Sequence, residues 1–167
     1  MKKKIFLGID PGTKISGYGV IEVNDKGYKA IDFGSIRPPA RYKLSDRYLI
    51  IFEGILQLIA SHTPDALAIE TQYVKDNVQS AMKLGMARGI VIVAAKKSGI
   101  PVFEYSPTQA KKAVVGKGSA SKYQVGGMIQ LLLKLSSRPS SEDATDALAL
   151  AICHAQAASS VINKNEI

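Results

Sequence analysis

Four carboxylates stand where surface chemistry alone explains them poorly. Asp10 ends the apolar run that begins at Lys4 and is followed by the turn Pro11-Gly12-Thr13. Glu70 closes Ala66-Leu67-Ala68-Ile69-Glu70 in the same manner. An acid as the last residue of a buried strand is exposed only at the end of the sheet, and two such ends can lie side by side. Asp143 and Asp146 are three apart near the start of a helical stretch, so both project from one face. Taken singly, Asp143 fits an acid placed for the helix macrodipole, and Asp10 and Glu70 fit strand-end caps. Asp146 is harder to dismiss. It leads into Ala147-Leu148-Ala149-Leu150-Ala151-Ile152, and a carboxylate in such a surface is costly unless paired or bound to a cation.

Brought together, the four would repel one another, and the site would hold protons or bind divalent cations. Oxygen-only ligands favour Mg²⁺ or Mn²⁺. Two such ions roughly 4 Å apart stabilise the attacking and leaving oxygens of phosphodiester hydrolysis. Water is then the nucleophile. His62 and Cys153-His154 lack the number and spacing of a zinc site. Lys111, Lys112, Lys117 and Lys122 surround Gly116 and Gly118, a pattern suited to a loop that fits a phosphate backbone. Lysine alone is ordinarily solvated surface. The net charge of +8 favours a polyanionic partner through attraction and counterion release, without saying which polyanion.

The elements that must position these residues follow from periodicity. Lys4 to Asp10 is a nearly continuous apolar strand, as expected of a buried central one. Gly17 to Val23 and Tyr28 to Ile36 read as two more strands, split by the turn Asn24-Asp25-Lys26-Gly27 into an antiparallel meander. From Lys43 the period becomes helical, with Leu44, Tyr48, Ile51, Ile55, Leu58 and Ile59 on one face as far as about His62. Strands at Ala66 to Glu70 and Pro101 to Tyr105 flank a long helix over Val78 to Lys97. Thr108 to Val115, Lys122 to Leu133 and Ser141 to Ala158 read as helices, with Ser140 or Ser141 able to cap the last. Gly85, Ala87 and Gly89 make the long helix small-sided, which suits close packing on a sheet. The whole is an α/β domain over residues 1–158, a five-stranded mixed sheet flanked by helices, with 159–167 expected to be a flexible tail.

With 167 residues, 46% of them hydrophobic and 22% charged, the chain suits one globular domain. No apolar run approaches the roughly 18 to 20 residues that span a bilayer. The basic start Met1-Lys2-Lys3-Lys4 is followed by an apolar run too short for a signal sequence. A single cysteine, Cys153, excludes an intrachain disulfide and suits the cytoplasm.

In order along the chain, these stretches resemble the RuvC family of Holliday-junction resolvases. The resemblance is carried by Ile9-Asp10-Pro11-Gly12-Thr13 with Gly17-Tyr18-Gly19, then Ala68-Ile69-Glu70, then the run from Ser80 to Gly89. Gly116-Lys117-Gly118-Ser119-Ala120 with Lys122 and Gln124-Val125 follows, and Asp143 to Ala149 completes it. It implies a ribonuclease-H-like fold and a homodimeric endonuclease that nicks a four-way DNA junction, leaving 5′-phosphates and 3′-hydroxyls. Asp10, Glu70, Asp143 and Asp146 match its metal-binding catalytic acids, for two Mg²⁺ ions per subunit with Mn²⁺ as a substitute. Lys111 and Lys122 match residues that hold the scissile phosphate, and Tyr73 falls where members usually carry a base-contacting phenylalanine. Lys117 is placed with them on the DNA, the helix carrying Gly85 to Gly89 forms the dimer, and a branch-migration helicase complex is an implied partner. The segment Gln72 to Asn77 departs from the family pattern and carries an extra acid, Asp76.

Two other classes compete. An actin-like kinase or ATPase uses a similar Asp-x-Gly-Thr turn, but needs two domains around a cleft where this chain supplies one. A non-catalytic scaffold on a degenerate nuclease fold would have no use for all four acids.

Overall fold

The structure, a computed structural model, describes residues 3–72, 77–158 and 165–167. Its core is a five-stranded sheet of order β3-β2-β1-β4-β5, built from β1 (Lys4–Asp10), β2 (Ser16–Asn24), β3 (Gly27–Ile36), β4 (Ala66–Glu70) and β5 (Val102–Tyr105). The first three strands form the expected antiparallel meander, while β4 and β5 run parallel to β1. The β2–β3 turn is the anticipated one: the Asn24 side chain accepts from the Lys26 amide at 2.8 Å, and Gly27 takes a φ of 106°. β2 is longer by a residue at each end than its apolar pattern predicts, because Ser16 pairs with Ile36 and Asn24 with Gly27.

Helices cover both faces. On one lie α1 (Leu44–His62) and α2 (Val78–Lys97), on the other α3 (Pro107–Val115), α4 (Lys122–Leu132) and α5 (Glu142–Ala157). Pleating sends alternate strand residues to opposite sides. Leu7, Ile9, Leu67 and Ile69 therefore join the core under α1 and α2, and Phe6, Ala66 and Ala68 join the core under α5. The short side of that second core is where α5 comes closest. A Cβ on Gly8 would stand 2.0 Å from the Ala147 carbonyl oxygen, and one on Gly19 would stand 2.7 Å from Leu148 Cδ2. The ten buried residues of α5, from Ala144 and Ala147 through Ala155, are the consequence of this contact.

Two expectations change. Residues 165–167, assigned to a flexible tail, lie along the outer edge of β5: Glu104 N–H donates to the Asn165 carbonyl at 2.8 Å, and Ile167 N–H to that of Val102 at 3.0 Å. An edge strand offers unpaired amides and carbonyls, and this short polar segment uses them. α2 is, by length and composition, apolar enough to cross a membrane. Here its Ala87, Val91, Ala94 and Ala95 are buried in the core shared with α1, while Val78, Met82, Met86 and Val93 of the same helix are exposed.

Candidate active site

Strand register places the first two acids. Ile9 of β1 pairs with Ile69 of β4, so Asp10 and Glu70, one residue further on, end neighbouring parallel strands. Both share the parity of Gly8 and Ala68, hence the face covered by α5. Opposite Asp10 on the other neighbour stands Gly17. A Cβ there would be 2.1 Å from the Asp143 carbonyl oxygen, so the first turn of α5 rests directly on β2 beside Asp10. Ser141 caps that helix, its hydroxyl accepting from Ala144 N–H at 3.4 Å. Asp146 follows one turn later, on the same side. All four carboxylates are half-buried.

Their charges act on one another. The Asp10 carboxyl is pushed up to about 8, first by burial and then by the charges of Glu70, Asp146 and Asp143, with Lys122 opposing. Glu70 is raised by burial and by Asp146, and Lys111 and Lys122 pull the other way. Asp146 is also raised, mainly by burial, with Lys122 opposing and Glu142 and Asp143 reinforcing. Among the described residues, no three His, Cys, Asp or Glu side chains stand close enough to hold a metal ion as they are. Like charges in a partly dry site repel one another or take up protons until a cation balances them. The donor chemistry fits a hard divalent cation, being all carboxylate, with no thiolate or imidazole among the four.

The turn that follows Asp10 is fastened from two sides. The buried Ser16 hydroxyl accepts from Gly12 N–H at 3.1 Å and donates to the Gly12 carbonyl at 2.9 Å. Arg47 of α1 donates to the Thr13 carbonyl. Arg88 of α2 does comparable work at the other strand end, donating through Nε to the Glu70 carbonyl at 3.2 Å and through Nη2 to the Glu104 carboxylate. It joins the ends of β4 and β5. Arg88 lies in the stretch from Ser80 to Gly89 that carries the resemblance, but nothing in its spacing connects it to Glu70.

The predicted cations divide. Lys111 and Lys122 line a cleft of about 180 Å³ with Glu70 and Asp146. Lys122 also donates to the Glu142 carboxylate, and that bond raises its pKa ahead of any other cause. Such an exposed pair contributes under about 1 kcal/mol, so a phosphate can displace Glu142. Lys117 is exposed and does not line this cleft. The glycines beside it have local reasons: Gly116 caps α3 in the left-handed region, φ 80°, and a Cβ on Gly118 would meet Thr108 Cγ2 at 2.6 Å. Tyr73 and Asp76 lie outside the described residues.

The family model of crossover junction endodeoxyribonuclease RuvC matches residues 6–154. This chain belongs to the RuvC family. It is 64% identical over 152 residues to the crossover junction endodeoxyribonuclease RuvC of Protochlamydia amoebophila, covering 91% of this chain and 90% of that one. Identity to the RuvC of Chlamydia caviae is 49% over 156 residues, covering 91% and 92%. The structure of Thermus thermophilus RuvC in complex with Holliday junction substrate superposes with a TM-score of 0.86 at 33% identity, over 91% of this chain and 93% of that one. The fold is therefore the ribonuclease-H-like one that the motifs imply. RuvC family nucleases depend on divalent metal, which agrees with the all-oxygen donor set.

Proposed function

We propose that this chain resolves four-way DNA junctions in recombination and repair, cutting two opposed strands by paired symmetric nicks. The reading is carried by one observation: acids from β1, β4 and α5 act on one another's charge beside Lys111 and Lys122. Asp10, Glu70, Asp143 and Asp146 would hold two divalent cations, Mg²⁺ with Mn²⁺ as a substitute. Bound there, such ions would supply positive charge to the phosphodiester as it is hydrolysed. Lys111 and Lys122 hold the phosphate and balance charge that develops on it, while the ends of β1 and β4 and the start of α5 bring the acids to one side of the sheet. Water is the nucleophile, and the products carry 5′-phosphate and 3′-hydroxyl ends. Tyr73 is assigned to DNA binding on family resemblance alone, and Lys117 on its place beside Gly116 and Gly118.

A two-fold dimer would match the symmetry of the junction, one site for each strand. Support for it comes from an apolar groove between α1 and α2, about 460 Å³, lined by Tyr48, Leu49, Phe52, Met86, Gly89, Ile90 and Val93. Leu49, Met86 and Val93 are more than half exposed there, a contiguous apolar surface of the kind that a second copy covers. Of the small residues in α2, Ala87 packs into the core, whereas Gly89 opens onto this groove. A branch-migration helicase complex is the further partner that the resemblance suggests.

The test is a synthetic four-way junction incubated with the protein in Mg²⁺ and in chelator. Paired, symmetric nicks in Mg²⁺ alone support the assignment. Binding with no cleavage in any divalent metal would overturn it in favour of a scaffold.

A further inference from the structure

Beside the acids, between α4 and the start of α5, lies a second cleft of about 290 Å³. It shares Lys111, Lys122 and Asp146 with the candidate site, and Tyr123 and Arg138 also line it. The Arg138 guanidinium carbon stands 3.7 Å above the centroid of the Tyr123 ring. That ring is 73% exposed, so the stacked pair sits at the surface and contributes little to any core. Among the described residues the guanidinium has no hydrogen-bond or ion-pair partner, which leaves its donors available to an anion.

The seat under Arg138 is made by two consecutive glycines inside α4. A Cβ on Gly127 would lie 3.2 Å from Arg138 Nη2 and 3.5 Å from Cζ, and one on Gly126 would lie 4.0 Å from Cδ. A glycine in a helix interior costs up to about 1 kcal/mol relative to alanine. Helix formation therefore does not explain the pair; the missing side chains leave the backbone of α4 open beneath the flexible arm of Arg138.

The one carboxylate on this cleft other than Asp146 is that of Glu142, which Lys122 already engages. Three cations, Lys111, Lys122 and Arg138, thus face an open groove that leads to an acid of the active site. We propose that Arg138 and Tyr123 form a strand-seating subsite for DNA. The guanidinium holds a phosphate neighbouring the one that is cut, and the uncovered face of the Tyr123 ring stacks on a base. This subsite rests on the nuclease reading above, and it fixes the path of the cleaved strand past Asp146.

The test measures binding of the full-length protein to a fluorescent four-way junction in chelator, across a series of salt concentrations. Arg138→Ala is expected to weaken binding about tenfold and to reduce the slope of log affinity against log salt by about 1. Arg138→Lys should keep the slope and lose part of the affinity, because a charge remains but the planar stack does not. Tyr123→Ala should weaken binding about tenfold with the slope unchanged, and Tyr123→Phe should restore it. Wild-type affinity and slope in Arg138→Ala would overturn the subsite while leaving the nuclease reading intact. A wild-type protein that binds no junction would instead remove the reading on which the subsite rests.

Discussion

Gly17 and Asp143 are in van der Waals contact through their backbones, with no room for even a methyl group between them: a Cβ on Gly17 would stand 2.1 Å from the Asp143 carbonyl oxygen. Gly17 is also the register partner of Asp10. One missing side chain thus brings an acid on a helix beside an acid on a strand. Gly17→Ala should push back the first turn of α5, destabilise the fold by about 1–3 kcal/mol, and lower Mg²⁺-dependent cleavage more than junction binding. Thermal melting and nicking of the same preparation would check both. Wild-type cleavage in a correctly folded Gly17→Ala protein would show that α5 need not touch β2.

The acids repel one another, so the site should be a source of instability without metal. Asp146→Asn is expected to raise the melting temperature of the chelated protein and to abolish the rise that Mg²⁺ produces in the wild type. Cleavage should fall at least a hundredfold while junction binding in chelator persists. A variant that cleaves at the wild-type rate would remove Asp146 from the catalytic set.

Arg88 reaches the active site only through others, holding the Glu70 carbonyl and the Glu104 carboxylate. We expect Arg88→Ala to slow cleavage about 10–100-fold, as loss of an outer-shell orienting group commonly does. The loss should fall on kcat, with KM for the junction unchanged, and Arg88→Lys should recover part of it. Equal loss from the alanine and lysine variants, confined to KM, would mean that Arg88 serves DNA binding instead.

The pH dependence has two limbs of opposite sign. The Asp10 carboxyl titrates near 3.8 in the unfolded chain and at about 8 in the fold. Between those values the unfolded chain has lost a proton that the fold keeps, so metal-free stability falls as pH rises from about 4 through about 8. If Asp10 is a metal ligand as proposed, metal binding needs its ionised carboxyl and should tighten over the same range. His154 behaves oppositely. Buried against Phe6 and Phe103, with Nδ1 hydrogen-bonded to the Tyr105 hydroxyl at 2.8 Å, it is lowered by desolvation from 6.5 to about 4. Stability present above pH 6.5 is therefore lost as pH falls towards about 4, on the order of 3 kcal/mol. Melts of wild type and His154→Gln from pH 4 to 8 should converge on the acid side, and parallel curves would refute the assignment.

The groove between α1 and α2 gives a fifth relationship to test. Val93→Glu and Leu49→Glu should each yield a monomer by sedimentation while preserving the fold, since both side chains are more than half exposed in one copy. Single, unpaired nicks are the expected activity. A wild-type protein that is monomeric at working concentration would refute the dimer.

Local chemistry was enough to mark what could be catalytic. Asp10 and Glu70 are legible as strand-end acids because apolar runs stop at them, and Asp143 and Asp146 because helical spacing puts both on one side. These are short-range periodicities of pleat and helix, written within a few residues of each acid. The bounds of β1, β4 and α2 were readable for the same reason. What tertiary structure alone decided is how the pieces meet. The pairing of β1 with β4 puts Asp10 next to Glu70, and close packing over Gly8, Gly17 and Gly19 lays α5 across the strands. Arg88 finds Glu70, Lys122 finds Glu142, and residues 165–167 find the edge of β5 through contacts between distant parts of the chain. No local pattern specifies such partners, because they are selected by the packing of the whole domain.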